Sequence, residues 1–253
     1  MAIDTASSRK SGRLSESVRT IAWGLVIALA IRTFLVEPFS IPSGSMEPTL
    51  LIGDYLFVLK FRYGYSHFSL PLSPPLFSGR ILGSEPHRGD VAVFRPRQLP
   101  GTDFIKRVIG LPGDRIQVLD GVVQINGVAV RREPEADFVG ADPCGSGSGE
   151  IAHVKQWRET LPDGVSYHTL QCSAGQGFPN TTPVYAVPPG NFFMMGDNRD
   201  NSEDSSFPDV GLVPFENLVG PAELFFFSVR GSPWAFWQWP WTVRWNRVLR
   251  PIG

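Results

Sequence analysis

The stretch RIQVLDGVVQINGVAV, residues 115–130, decides the fold class of this chain. Apolar residues alternate with other residues along it, and the dipeptides Asp120-Gly121 and Asn126-Gly127 interrupt the alternation. A period of two is typical of a half-buried strand, and Asp-Gly or Asn-Gly between two such runs is typical of a tight hairpin. The stretch therefore predicts an antiparallel meander of strands.

Similar short apolar runs continue on both sides of the meander, at 55–59, 90–94, 184–187, 192–195 and 224–229. The 253 residues include 26 glycines and 23 prolines, which break or weaken helices, so long helices cannot form most of the chain. We therefore predict a mainly β fold.

Composition excludes several classes of protein. The 23 basic and 24 acidic side chains give a formal net charge of -1, which argues against a nucleic-acid partner because such proteins carry a basic face. The four histidines are scattered, with no second ligand one helical turn away, so we predict neither a metal site nor a cofactor.

One strongly apolar run lies near the N-terminus, from Thr20 to Val36, and basic residues precede it. A cleaved signal peptide would explain the basic flank and the small residues Ala28 and Ala30, but apolar residues resume beyond them. A buried soluble helix would leave the basic flank unexplained. We favour one transmembrane anchor over residues 18–37, with residues 1–17 in the cytoplasm and the remainder outside.

Residues 131–180 differ in character from the rest, since they are polar and contain both cysteines of the chain. We predict that they form a smaller subdomain inserted between two parts of a β core, 38–130 and 181–253. An oxidising compartment outside the membrane favours a bond between Cys144 and Cys172, and two free thiols are the alternative.

The C-terminal tail holds five of the seven tryptophans, namely Trp234, Trp237, Trp239, Trp241 and Trp245. Tryptophan favours the headgroup zone of a bilayer because its ring is amphipathic. Contact with the membrane surface and packing against the sheet both remain open interpretations.

Three segments carry residues suited to chemistry: PSGSMEPTL at 42–50, DFIKRVIG at 103–110 and GDNRDNSEDS at 196–205. The first is either a Ser/Gly/Pro turn or the site of a nucleophilic serine, which needs a neighbouring base. The third is a polar surface loop or one that positions its neighbours, and it does not match the calcium loop of an EF-hand.

Lys106 lies in the second segment, within an apolar run that reads as a strand. Strict alternation places it on one face with Phe104 and Val108 and places Arg107 on the other. Burial on an apolar face would lower the pKa of the lysine and make its neutral amine a general base, whereas a lysine on the solvent face would have no such role.

Together and in this order, these segments resemble the type I signal peptidase family (bacterial leader peptidase). The resemblance also includes the N-terminal anchor, RGDVAVF at 88–94, ETLPDGV at 159–165 and PPGNFFMM at 188–195, and it spans nearly the whole chain. It implies a signal-peptidase-like β-sheet ectodomain and an endopeptidase with a serine–lysine dyad.

The resemblance assigns a role to each polar residue of the site. Ser45 corresponds to the nucleophile and Lys106 to the general base. Ser43 corresponds to the hydroxyl that joins the Ser45 N–H in the oxyanion hole, Ser202 to the residue that orients the lysine, and Asp204 to an acidic residue that supports the loop.

The sequence departs from the family at Ser206, where the family carries an arginine that would pair with the acidic residue. A salt bridge there is therefore in doubt. Arg199 is a candidate replacement for the missing cation.

The resemblance also implies two shallow apolar pockets that accept Ala-x-Ala ends of signal peptides. Their walls would come from Ile41, Met46, Leu50, Phe104 and Ile105, and, towards the third residue upstream of the cut, from Phe39, Leu56 and Val93. The implied partners are preprotein signal peptides, membrane lipid and the secretion translocon. The implied location is the bacterial inner (cytoplasmic) membrane, with a periplasmic catalytic domain.

Three other functions remain open from sequence. One is a specialised processing peptidase of conjugation systems or organelle inner membranes. Another is a self-cleaving regulator, which would need a DNA-binding domain that is not visible. The third is a membrane-tethered β-domain that binds partners without catalysis.

Overall fold

The computed structural model describes residues 6–99, 101–145, 149–172 and 180–252, with side chains described from residue 16. Its helices and strands in chain order are α1 (Ala6–Phe34), β1 (Val36–Ser40), β2 (Asp54–Leu59), α2 (Lys60–Tyr63), β3 (Val91–Phe94), β4 (Phe104–Gly110), β5 (Arg115–Leu119), β6 (Val122–Ile125), β7 (Val128–Ala129), β8 (Arg131–Pro134), β9 (Phe138–Ala141), β10 (Ile151–Thr160), β11 (Ser166–Gln171), β12 (Tyr185–Ala186), β13 (Asn191–Met195), β14 (Val213–Pro214), β15 (Leu218–Ser228) and α3 (Trp239–Thr242).

The strands form antiparallel sheets, so the prediction of a mainly β fold is confirmed. The main sheet has the strand order β1-β2-β15-β3-β4-β13-β14. A second sheet has the order β12-β5-β6-β7, and a third has the order β11-β10-β8 with β9 also paired to β10. The main sheet matters most for function because it holds both β4 and the chain that follows β1.

The meander is confirmed at residue level. Strands β5 and β6 pair with Leu119 opposite Val122, across the turn at Asp120 and Gly121. Both turn residues have positive φ, 51° and 77°, which is the backbone that a two-residue hairpin of this kind requires. Asn126 and Gly127 repeat the geometry between β6 and β7, with φ of 56° and 80°.

The N-terminal helix α1 is exposed along its apolar length. Its segment Glu16–Phe34 has a mean hydropathy of 1.4 and is 6% buried, and among the described residues it is the one helix long and apolar enough to cross a membrane. The helix ends at Phe34 and β1 begins at Val36, so the last two residues of the anchor predicted over 18–37 lie in a strand. The bounds of the membrane span stay a prediction. Glu37 lies in β1, which pairs with β2, and its carboxylate binds Lys60 Nζ at 2.7 Å.

A buried apolar cluster on the main sheet lies beneath the chain between β1 and β2. Its members come from that chain and from strands β2, β3 and β15: Ile41, Met46, Leu50, Leu56, Val58, Val91, Val93, Val219, Ala222 and Phe225. The segment 42–50 is therefore held against a core, because three of these side chains lie within it or beside it.

The segment 131–180 contributes the third sheet, β8 to β11. A buried ion pair joins this sheet to the loop 196–205. Glu159 of β10 accepts hydrogen bonds from the Arg199 guanidinium at 3.0 and 2.5 Å, and both side chains are buried. A disulfide joins Cys144, after β9, to Cys172, after β11. The domain boundaries at 130 and 180 stay predictions.

The tryptophan tail is partly packed and mostly exposed. Trp239 lies 5.0 Å from Phe227 between ring centroids, and its Nε1 donates to the carbonyl of Pro233. Trp234, Trp237 and Trp241 are 85%, 62% and 79% exposed. Trp239 therefore packs against the sheet, and the ring of Trp237 contacts Phe236 at 5.1 Å, while most of the surface of Trp234, Trp237 and Trp241 is exposed.

Candidate active site

The segment 42–50 presents Ser45 in a short turn. The Glu47 N–H donates to the carbonyl of Gly44 at 3.1 Å, and the Leu50 N–H donates to the carbonyl of Met46 at 2.9 Å. Met46 and Leu50 have no exposed surface, so they fix the turn on the core while Ser45 remains at the wall of a cleft.

Lys106 lies in the middle of β4, with Ala92 of β3 as its neighbour in the sheet. It is 4% exposed, and its Nζ lies 2.7 Å from Ser45 Oγ. Arg107 turns to the opposite side, where its guanidinium pairs with Asp197, as the alternation predicts. The strand thereby brings the amine against a hydroxyl that is 61 residues away in the chain.

The environment of Lys106 favours its neutral form. Burial lowers its pKa to about 8, and the negative charges of Asp204, Asp197 and Glu203 oppose the shift without cancelling it. A neutral amine has a lone pair that can accept the proton of the serine hydroxyl, so the pair has the chemistry of a nucleophile and its base.

Ser43 lies on the same wall of the cleft, with its Oγ 3.5 Å from Ser45 Oγ. Ser202 lines the cleft as well, but its buried Oγ has no hydrogen-bond partner among the described residues. The structure therefore brings the side chains of Ser43, Ser45, Lys106 and Ser202 to one cleft, and Ser202 makes no hydrogen bond to the lysine that it is expected to orient.

Gly196 allows the loop 196–205 to lie close to the segment that carries Ser45. A Cβ at this position would lie 2.1 Å from Ser202 Oγ and 2.6 Å from the carbonyl oxygen of Ser45. A Cβ atom essentially never lies this close to a non-bonded atom, so the close approach of the two segments requires a residue without a side chain.

Asp204 is fully buried behind this loop. Its carboxylate accepts hydrogen bonds from the Gly196 N–H at 3.1 Å and from the N–H and Oγ of Ser206 at 3.1 and 2.7 Å. Burial raises the pKa of this carboxyl, against the effect of these hydrogen bonds and of Lys106. Ser206 thus binds Asp204 without a cation, and Arg199 does not compensate because it pairs with Glu159.

An open cleft of about 640 Å³ runs past Ser45 and Lys106. Of the predicted pocket residues, those that line it are Phe39, Ile41, Val93, Phe104 and Ile105. Met46, Leu50 and Leu56 do not line the cleft, and their contact with substrate stays a prediction. They are 0% exposed because they pack in the apolar cluster beneath the cleft.

Four other residues of the site have no role predicted from the sequence, although two of them, Asp103 and Asn198, lie in the segments 103–110 and 196–205. Thr102, Asp103 and Phe207 line the cleft, and Asn198 contacts the Ser45 segment directly. Thr102 and Asp103 stand immediately before the strand that carries the lysine, which was a usable signal. Within the described residues, no group of three or more His, Cys, Asp or Glu side chains is arranged to hold a metal ion.

A serine hydroxyl against a buried amine, at the wall of a partly apolar cleft, has the components of a hydrolase site. The family model described as "Signal peptidase, peptidase S26" matches residues 14–227. The chain therefore belongs to the signal peptidase family, and its reaction is the removal of signal peptides by a peptidase of this family.

Two relatives from Rickettsia agree with this assignment. The chain is 38% identical over 235 residues to the signal peptidase I of Rickettsia typhi, covering 90% of this chain and 86% of the relative. It is 37% identical over 270 residues to that of Rickettsia rickettsii, covering 100% and 98%. A crystal structure of a signal peptidase I from Enterococcus faecalis V583 is 25% identical, covers 55% of this chain and 97% of its own, and has a TM-score of 0.32.

Proposed function

We propose that this chain is a membrane-bound serine endopeptidase that removes N-terminal signal peptides from exported preproteins after Ala-x-Ala sites. Ser45 is the nucleophile and Lys106, in its neutral form, is the general base. The observation that carries the proposal is the 2.7 Å contact between Lys106 Nζ and Ser45 Oγ, buried at the wall of a partly apolar cleft.

The proposed reaction has two stages, formation of an acyl-enzyme and its hydrolysis. Lys106 Nζ takes the proton of Ser45 as Oγ attacks the scissile carbonyl, and the resulting oxyanion accepts hydrogen bonds from Ser43 Oγ–H and the Ser45 N–H. The carbon–nitrogen bond then breaks as the ammonium returns its proton to the leaving amine. Water, deprotonated by the same lysine, hydrolyses the acyl-enzyme and regenerates Ser45.

Specificity arises from the apolar half of the cleft. Phe39, Ile41, Val93 and Ile105 line the cleft that contains Ser45, and this apolar wall would accept the alanine methyl group of an Ala-x-Ala end. The chain would use no cofactor, metal or nucleic acid.

The location proposed is the bacterial inner membrane. The segment Glu16–Phe34 of α1 would span the bilayer once, with a cytoplasmic N-terminus and a periplasmic catalytic domain. The proposed partners at this location are exported preproteins, membrane lipid and the secretion translocon.

The function is tested by incubating the detergent-solubilised full chain with a preprotein that ends its signal peptide in Ala-x-Ala. We expect one cut after the final alanine, identified by mass spectrometry of the mature protein. A substrate with tryptophan at that last position should stay intact. Cleavage of both substrates alike, or of neither, would contradict the proposal and favour a specialised peptidase or a binding domain.

Contact of the tryptophan tail with lipid is a separate prediction. In vesicles that contain lipids brominated near the headgroups, the full chain should show quenched tryptophan fluorescence. Changing Trp234, Trp237 and Trp241 together to serine should remove much of the quenchable signal, because these exposed rings would lie in the interface. The control is Trp157→Phe in the inserted segment, which should remove only unquenched signal. An unchanged quenchable signal in the triple variant would show that the tail faces water.

A further inference from the structure

Asn198 joins the loop 196–205 to the peptide that precedes the nucleophile. It is 0% exposed, and its Nδ2 donates to the carbonyl oxygen of Gly44 at 3.0 Å. Its backbone N–H donates to the carbonyl of Ser45 at 3.1 Å. Asn198 therefore binds the carbonyl group that precedes Ser45 in the chain and the carbonyl group of Ser45 itself.

The first of these bonds acts on the oxyanion donor. The Gly44 carbonyl and the Ser45 N–H belong to the same peptide group, which is trans, so the two point in opposite directions. Fixing the carbonyl towards Asn198 therefore fixes the N–H towards the other side. None of the backbone hydrogen bonds in the described residues uses the Ser45 N–H, so this donor is free for a ligand.

The orientation of the Asn198 amide is itself determined. Its second acceptor is the carbonyl of Pro143, so Nδ2 must face two carbonyl oxygens, and the reverse orientation would place oxygen against oxygen. Its Oδ1 is buried without a partner among the described residues. A buried acceptor without a donor lowers stability. The amide nevertheless keeps this orientation, because its two N–H groups bind the carbonyl oxygens of Gly44 and Pro143.

We propose that Asn198 is a positioning residue that orients the Gly44–Ser45 peptide so that its N–H stabilises the oxyanion. This rests on the proposed function and deepens it. The bond to the carbonyl also polarises the peptide, which strengthens the N–H as a donor. The Glu47 N–H binds the same carbonyl, so loss of Asn198 weakens the orientation without abolishing it.

The kinetic test uses Asn198→Ala in the full chain. Loss of a whole oxyanion donor lowers kcat by about 10² to 10³, so misorientation of one should lower it by about 10- to 100-fold, with KM unchanged. A peptide aldehyde, which forms a tetrahedral adduct with Ser45, should lose affinity by a similar factor. Binding of the uncleaved peptide should be equal in the Ser45→Ala variant and in the Ser45→Ala/Asn198→Ala double variant.

The matched control is Asn217→Ala. Asn217 is also buried, and its Nδ2 donates to the carbonyl of Arg95 at 2.7 Å, so the change removes the same kind of bond away from the cleft. Both variants should lose similar thermal stability, and only Asn198→Ala should lose kcat. Equal kcat in the two variants, or a loss at Asn198 that appears in peptide binding instead, would overturn the proposal.

A second measurement does not depend on catalysis. A hydrogen bond to a carbonyl deshields the nitrogen of the same peptide, so the backbone ¹⁵N resonance of Ser45 should move upfield in Asn198→Ala and stay in place in Asn217→Ala. An unmoved resonance would overturn the role of Asn198. If the wild type cleaves no preprotein, the proposed function fails, and this measurement still decides whether Asn198 holds the peptide.

Discussion

Lys106→Met should be as inactive towards a preprotein as Ser45→Ala, and the double variant should be no less active than either. Each change should lower kcat/KM by about 10⁴-fold or more, because a nucleophile and its base act as one unit whose losses do not add. Methionine has a similar length and fills the buried space without an amine. The measurement is single-turnover cleavage by the three variants under the same conditions.

Two controls distinguish loss of the general base from loss of a positive charge and from loss of stability. Lys106→Arg keeps a cation, but guanidinium cannot give up its proton, so we expect no recovery of activity. Lys60→Met removes another buried lysine, one that is paired with Glu37, and should reduce stability while leaving kcat near that of the wild type. More than a hundredth of wild-type activity in Lys106→Arg would contradict the assignment of Lys106 as the base.

The pH dependence follows from the same group. The active form is the neutral amine, and burial lowers the pKa of Lys106 to about 8. Below that pH the fraction of neutral amine falls about tenfold per unit, so kcat/KM should fall with the same slope and level off above it. A pH profile that is flat between 6 and 8 would show that another group limits the reaction.

The parts of the fold that follow local rules could be predicted from the sequence. The hairpins at Asp120-Gly121 and Asn126-Gly127 are confirmed because positive φ at both residues is a local property. The opposite orientations of Lys106 and Arg107 are confirmed because alternation along β4 is local as well.

What depends on long-range packing could not be predicted. The full burial of Met46, Leu50 and Leu56 beneath the cleft is one example, since a sequence does not show how deep a side chain lies below a surface. Ser206 and Arg199 also needed the structure. The serine caps Asp204 directly, while the arginine turns to Glu159 on a strand 40 residues away in the chain.

Asp197→Ala should lower the free energy of unfolding by about 3–5 kcal/mol, the cost of leaving one member of a buried ion pair unpaired. The Asp197 carboxylate accepts from Arg107 Nε at 2.9 Å and from Nη2 at 2.7 Å, with both side chains 1% exposed. Thr49 Oγ1 donates to the same carboxylate at 2.5 Å. The carboxylate thus ties β4, the loop 196–205 and the end of the Ser45 segment together, and its loss frees all three.

The measurement is urea unfolding of the full chain in detergent, followed by tryptophan fluorescence. For a protein of this size the same loss should lower Tm by about 6–20 °C. The control is Asp137→Ala, whose partner Lys155 is exposed on the inserted sheet, and it should cost less than about 1 kcal/mol. Equal losses in the two variants would mean that Arg107 finds other acceptors. In the wild type, Arg107 Nη1 already donates to the Gly89 carbonyl at 2.7 Å. Among the described residues, no carboxylate other than Asp197 pairs with Arg107, so its charge would stay unpaired in the Asp197→Ala variant.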